Sequence, residues 1–576
     1  MLRDETTIIN SALWAAYGDA LGFITELADL GGLRARTGGL TNVSTTIPWV
    51  RRVGGKFGVS AELPAGCYSD DTQLRLATSR AMRSDKFDVE AFAKVELPVW
   101  LVYALGAGRG SKAAAASLTQ SYRSWASNVY ESKGVRYVDS GGNGAAMRIQ
   151  PHVWSARDWA KPQTYLPDVV RNAITTHGHP TAIIGAAFHA MSLAYCLKHG
   201  RPSTPRDWAE FMYRMPVILD ILVDDPEVRT LWFSLWEQQA HKSFEDSLIK
   251  AIRETERDIQ AIGTILEAGR FSGRDEYDQI AHTVGAFDPT RRGSGTLTAL
   301  LANVLVVISD GTNPDRMMRQ AANLLGTDTD SIATMAGAMA GAFGRHEPEG
   351  PIADHEYLRI EAARMASLHA GEHTEEFPYP DLLRWSPPRA VLDYVGVDES
   401  RHLAIAGLGP IRRTGRAFET SPDSEFHWQW MELRFGQRIL AKRRRALRRL
   451  SIALLPGEAT RDRALARAHA AQTLAVRERT SAKPATGTQL LPLDDHAPPE
   501  SQGEDAPFPK GVSLWLRRIQ ATAFDPTLIG QMVLELIETE EGRRTLGEVV
   551  FRLPHLERKP IAKGATKRVR KPKPSR

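Results

Sequence analysis

Two short acidic stretches carry the residues best suited to chemistry. In Gly326-Thr327-Asp328-Thr329-Asp330-Ser331 the two aspartates stand two residues apart, so one loop can turn both carboxylates toward a single point. Far upstream, Ser69-Asp70-Asp71-Thr72-Gln73 repeats the theme. Each stretch runs into a segment of helical spacing, and the free N–H groups and dipole of a helix start favour negative charge there. Carboxylate and hydroxyl oxygens without sulfur or clustered imidazole suit a hard cation, and loops giving one or two carboxylates each suit hydrated Mg²⁺ better than a dedicated Ca²⁺ cage. Ser and Asp at a helix start also act as caps, so each stretch alone admits both readings. An EF-hand is excluded, because Ile332 falls at its fifth position and no glycine follows at the sixth.

Three further stretches carry polar groups in patterns that suit a ligand. Gly18-Asp19-Ala20-Leu21-Gly22 leads to Glu26; glycines four apart imply a close backbone approach, and Asp19 needs a partner if buried. Asp139-Ser140-Gly141-Gly142-Asn143-Gly144 can present backbone N–H groups to an anion, or be a plain turn. No Lys-Ser or Lys-Thr follows it, which excludes a Walker loop. His177-Gly178-His179-Pro180 opens another helical pattern, and without an HExxH spacing or a cysteine pair these histidines read as hydrogen-bonding groups rather than zinc ligands.

The elements that must position these groups read as helices. Apolar spacing predicts one helix from about Thr6 through Leu21, others after Ser69, over 88–105, 112–128 and 205–275, and a buried one over Leu297–Ile308. The small residues Ala333, Ala336, Gly337, Ala340 and Gly341 after the second acidic loop imply close helix packing that would hold that loop rigidly. Strand-like alternation is nearly absent before Gly344, which predicts an all-α domain. A chain of 576 residues with 24% charged and 42% hydrophobic residues is long enough for two or three domains. Two cysteines, Cys67 and Cys196, imply a reducing compartment. Met1-Leu2-Arg3-Asp4-Glu5 lacks an apolar leader core, and the run Leu297–Ile308 is too short to span a bilayer; together these predict a cytoplasmic protein with no membrane partner.

Taken together, the five stretches resemble the ADP-ribosylglycohydrolase family, in the family's own order and over roughly residues 6–370. The resemblance implies a compact all-α fold with two Mg²⁺ ions at its centre. It makes Ser69, Asp70, Asp71, Asp328, Asp330 and Ser331 metal ligands, the two serines standing where relatives have threonine. Glu26 then falls where relatives have a carboxylate beside the metals and is the leading water-activating base, with Asp71 second. Ser140, Gly141, Gly142 and Asn143 match the loop that contacts the diphosphate, and His177 matches a substrate-side histidine. Arg291-Arg292-Gly293-Ser294-Gly295-Thr296 departs from the usual aromatic-containing stretch and leaves the acceptor pocket open. The implied activity is hydrolysis of the glycosidic bond between ADP-ribose and a modified protein, nucleic acid or small acceptor. The alternative is an ADP-ribose-binding or scaffold protein with a vestigial site.

The resemblance ends near 375, which delimits a catalytic domain, 1–375. Residues 426–455 show helical spacing with Arg434, Arg438, Lys442, Arg443, Arg444, Arg445, Arg448 and Arg449, so 376–479 is predicted to be an extension with basic helices. A flexible linker (480–510), a small helical module (511–557) and a disordered basic tail (558–576) follow. Nine Lys or Arg and no acid lie in that tail, so the pI near 9.0 belongs mostly to it. The basic segments suit nucleic acid or another polyanion, or else pair with acids of the main domain.

Overall fold

The computed structural model describes residues 2–268, 274–309, 313–421 and 423–457. The chain divides into two units, Met1–Arg479 and Thr480–Arg576, and the described residues all belong to the first. The expected linker, small helical module and basic tail therefore lie outside the described residues.

The body is helical, as the spacing predicts. Its site-bearing helices are α1 (Leu2–Thr25), α2 (Asp70–Arg80), α3 (Pro180–His199), α4 (Gly295–Ile308), α5 (Thr329–Gly341) and α6 (His355–Ala370). Helices α1 and α5 form its central antiparallel pair. Asn10 lies against Gly341, Trp14 against Gly337, Gly18 against Ala333 and Gly22 against Thr329, so each four-residue step up α1 meets a four-residue step back along α5. A Cβ on Gly337 would stand 2.3 Å from Trp14 O, and one on Gly22 2.4 Å from Thr329 O, so only glycine permits this approach. At that separation side chains bond across the pair. Ser11 Oγ donates to Ala338 O (2.7 Å), Thr334 Oγ1 to Ala15 O (2.9 Å) and Thr329 Oγ1 to Gly22 O (2.8 Å). The last of these fixes the start of α5, where the second acidic loop ends.

Helix α3 is long and apolar enough to cross a membrane, but it is buried almost throughout within the body. Its Gly185 packs on the backbone of Gly295 at the start of α4. Both cysteines are free and buried.

The all-α expectation needs correction. A hairpin, β1 (Trp49–Val53) with β2 (Val59–Leu63), precedes α2. In the described part of the 376–479 extension, up to 457, the predicted basic helices are strands: β3 (Val395–Val397), β4 (Leu403–Ile405), β5 (Gly409–Phe418), β6 (Phe426–Leu433), β7 (Arg438–Arg444) and β8 (Arg448–Arg449). They form one sheet of order β8-β3-β4-β5-β6-β7. Since β7 and β8 lie at opposite edges yet only residues 445–447 join them, the sheet curls toward closure. The arginines four apart mimicked a helix, but the turn at Gly436 (φ 100°) folds Phe426–Leu433 back on Arg438–Arg444. On that hairpin Trp428 and Trp430 mark the period-2 alternation of a strand.

The sheet is knitted to the helical body by a buried polar cluster. Arg80 of α2 donates to both Glu96 carboxylate oxygens (2.8 and 2.7 Å) and to Gln437 Oε1 (2.9 Å), while Tyr379 donates to Glu96 (2.7 Å). Arg438 donates to Asp354 from Nε (2.7 Å) and from its backbone N–H (2.9 Å). Breaking a pair as buried as Arg80–Glu96 costs about 3–5 kcal/mol. Residues past 375 are thus part of what holds α2 in place.

Candidate active site

Helix α2 begins where it does because α1 caps it. Asp19, fully buried, accepts Ser69 N–H (2.9 Å), Thr72 N–H (2.8 Å) and Thr72 Oγ–H (2.5 Å). Arg75 donates to the same threonine oxygen (2.7 Å) and to Thr334 of α5 (2.8 Å). Asp19 therefore finds the partners its burial demands, and its role is to position the first acidic loop. The Asp70 N–H bonds Leu105 O (2.8 Å), completing the anchor from the other side.

Asp70, Asp71, Asp328, Asp330, Ser331 and Glu26 line one cleft of about 620 Å³ together with Ser140, Gly141, Gly142, Asn143 and His177. Ser69 is the exception. It is fully buried, and its hydroxyl accepts Asp71 N–H (3.2 Å) as an ordinary cap. Asp328 occupies the cap position of α5 but makes no capping bond through its side chain, so the capping reading fails there. Its Oδ2 instead lies against Gly293, where a Cβ would stand 2.8 Å away.

The carboxylates are buried against one another. Asp70, Asp71 and Asp330 are each pushed well above the usual carboxylate range, first by burial and then by neighbouring negative charge: Glu26 and Asp19 on Asp70, Asp19, Asp70 and Asp328 on Asp71, Glu26 and Asp71 on Asp330. Glu26 is raised by burial, opposed by the Arg51 guanidinium that donates to its Oε2 at 2.7 Å. Arg51 itself lies over the Phe23 ring, 4.3 Å from its centroid. Asp71 Oδ2 is buried with no hydrogen-bond partner among the described residues. Such an oxygen, in a set of oxygen donors alone, is what a hard cation would satisfy. Among the described residues, no three acidic, imidazole or thiol groups close on a single point.

Opposite the acids stand His177 and the glycine loop. His177 is buried, and its pKa falls to about 3 through burial and the nearby Arg148 charge, so the ring is neutral. Arg148 donates to Gly144 O (2.7 Å) and Thr176 Oγ1 (2.7 Å). That threonine oxygen, 2.7 Å from His177 Nδ1, already accepts the Arg148 bond. The hydroxyl can give its one proton to Nδ1, and in that tautomer the imidazole proton sits on Nε2.

In the glycine loop three N–H groups are already spent. Ser140 bonds Tyr137 O, Gly141 bonds Asp139 O and Asn143 bonds Gly293 O. The broad N–H fan expected of this loop is narrowed to the neighbourhood of Gly142 and Gly144. The Gly142–Ser294 bridge also brings the Arg291–Thr296 stretch to the cleft, where Arg292 and Gly293 form part of the wall.

One lining segment escaped the sequence reading. Gly106-Ala107-Gly108-Arg109-Gly110-Ser111 leads into the helix Arg109–Ser117 and passes between the two halves of the site. A Cβ on Gly106 would stand 3.1 Å from Asp70 Oδ1, and one on Gly110 3.4 Å from His177 Nε2. The signal was present as three alternating glycines before an alanine-rich run.

A family model described as ADP-ribosylglycohydrolase matches residues 7–348. Among solved structures the chain is similar to one described as an ADP-ribosylglycohydrolase-related protein complex. Sequence identity is 17% over 64% of this chain and 100% of that chain, with a TM-score of 0.39. No curated protein matches the chain.

Proposed function

Because the chain belongs to the ADP-ribosylglycohydrolase family, we propose that it is a Mg²⁺-dependent hydrolase of the glycosidic bond between ADP-ribose and a modified protein, nucleic acid or small acceptor. The observation that carries the reading is the cleft in which buried, mutually repelling carboxylates from two helix starts face a neutral histidine and a glycine loop.

Asp70, Asp71, Asp328, Asp330 and Ser331 would hold two Mg²⁺ ions, with Ser69 serving through its cap on Asp71. Bound there, the ions would supply positive charge that orients the ribose hydroxyls and lowers the pKa of a water. Glu26 is the base. Burial raises its proton affinity while Arg51 fixes Oε2, and Oε1 takes no bond among the described residues. A carboxylate of raised basicity that still ionises is suited to taking a proton from water. Asp71 is the second candidate, through its unpartnered Oδ2. His177 donates from Nε2–H to a substrate oxygen and stays neutral throughout, since burial and then the Arg148 charge disfavour its protonation. The N–H groups around Gly142 and the start of the helix Arg109–Ser117 face the diphosphate, where dipole and N–H groups favour anions.

The test is release of ADP-ribose from a panel of ADP-ribosylated arginine, serine, DNA and RNA in the presence of Mg²⁺, which also identifies the acceptor. No release from any member overturns the reading. Stabilisation by Mg²⁺ without turnover favours a binding protein with a vestigial site. Cytoplasmic location and recruitment to a polyanion belong to the same proposal; the polyanion reading rests on the tail 558–576, because the arginines of 438–449 are largely engaged within the folded unit.

A further inference from the structure

A second cavity, of about 580 Å³, lies beside the first acidic stretch, between the helical body and the curled sheet. Its volume falls in the range of small-molecule sites, roughly 300–1,000 Å³. The body contributes Tyr68, adjacent to Ser69, and Leu105, whose carbonyl holds Asp70. The sheet contributes Phe418, Trp430 and Arg416, all beyond the residues that the family model matches.

Three features of this wall suit a ligand of one kind. Aromatic rings come from both sides: Tyr68 from the body, Phe418 and Trp430 from the sheet, with Trp430 tied to the body by its Nε1–H bond to Glu62 O (3.3 Å). The strand β5 carries Arg412, Arg413 and Arg416 on an exposed edge; Arg416 pairs with Glu62 at 2.9 Å, both side chains 68% exposed, and its guanidinium lies over the Phe418 ring, 5.3 Å from the centroid. Such a pair exchanges partners at little cost. The β5–β6 register breaks between Arg413 and Ala417, so the strand bulges at Thr414–Arg416 and its ladder is interrupted at the cavity rim. Bulges of this kind re-aim side chains beside binding sites.

We propose that this cavity is a second ligand site, distinct from the catalytic cleft, for a planar heteroaromatic group bearing a phosphate, of mononucleotide size. The ring stacks among Trp430, Phe418 and Tyr68, and the phosphate takes Arg416 from Glu62. Stacking of a base on an aromatic side chain is sequence-tolerant, and the arginine fork matches phosphate geometry. A free nucleotide and the terminal nucleotide of a strand offer the same chemistry.

The experiment is calorimetric titration of the full chain with AMP, with adenosine, and with a short single-stranded oligonucleotide. One AMP site is expected to persist in Asp328→Ala, which alters the catalytic cleft, and to weaken about tenfold or more in Trp430→Ala. Arg416→Glu, an exposed change that leaves the melting temperature in place, is expected to weaken AMP several-fold and adenosine not at all. A preference for the oligonucleotide that is lost in Trp430→Ala would identify a strand end as the source, since binding through the tail survives that change, and a preference for AMP would identify a free nucleotide. Absence of AMP binding in the Asp328→Ala chain, or equal AMP affinity in wild type, Trp430→Ala and Arg416→Glu, overturns the proposal.

Discussion

The protein contains two clusters of like charge and treats them in opposite ways. In the cleft, Asp70, Asp71, Asp330 and Glu26 are buried against one another, and among the described residues only Glu26 has a cation paired to it, Arg51. In the sheet, Arg438 pairs with Asp354, Arg444 and Arg448 with Asp393, Arg445 with Glu419 and Arg449 with Glu399, while Arg443 donates to Gln429. Paired charge at a surface holds strands together and contributes little else. Unpaired like charge held among buried groups destabilises the fold, and such a cluster lining a cleft is the pattern of a ligand site.

The sharpest way to break this contrast is to remove one acid. Asp330→Ala is expected to lower ADP-ribose release by roughly 10²–10³-fold. The metal-free protein should at the same time melt higher, because one member of a repelling set is gone, and the Mg²⁺-induced rise in melting temperature should shrink. Near-normal turnover, or a lower melting point with the full Mg²⁺ shift intact, would show that these acids are structural.

A smaller effect follows from pH. The folded-state pKa values of Asp70, Asp71 and Asp330 are raised, so the folded chain binds more protons than the unfolded one above pH 4. Stability from these groups is fully present below the unfolded pKa and is lost as pH rises through the folded values. The buried histidines 152, 177 and 189, all lowered to about 3, act the other way, but only below pH 6.5. Above pH 6.5 only the carboxylate contribution remains among these groups. Melting temperatures in chelator should fall as pH rises through the raised carboxylate values and be nearly flat with Mg²⁺; a rise there in chelator contradicts the burial described here.

The smallest effects belong to the sheet. Arg445→Ala and Arg449→Ala should each change unfolding free energy by less than about 1 kcal/mol and leave turnover unaltered. A chain ending at 457 keeps these arginines and loses the tail. If it stays on a DNA column at low salt as firmly as the full chain, the tail is not the polyanion contact. Ending the chain at 375 is not equivalent, since it would strip Gln437 and Tyr379 from the buried Arg80–Glu96 pair.

Much of the site was legible because it is written locally. Asp70, Asp71, Asp328 and Asp330 sit at helix starts that the apolar spacing marks, and the glycines at 18, 22, 337 and 341 announce a close helix pair by their four-residue interval. Sequence alone also showed that Asp19 needs a partner. It did not show which one, because the Ser69 and Thr72 N–H groups that satisfy it lie fifty residues away and meet it only when α1 packs beside α2.

What the sequence by itself determined is the helical body, the acidic stretches and the family they resemble, since local periodicity and short motifs survive without tertiary contacts. Three things were decided by tertiary structure alone. Ser69 became a cap rather than a lining residue, because the packing of α2 turned its hydroxyl toward Asp71 N–H. The loop 106–111 became part of the cleft through its approach to both Asp70 and His177. The arginine-rich stretch became a strand pair, because Gly436 turns the chain and the two tryptophans alternate. Arginines four apart satisfy a helix and a curled strand equally well, and the outcome depends on which partners the rest of the fold presents.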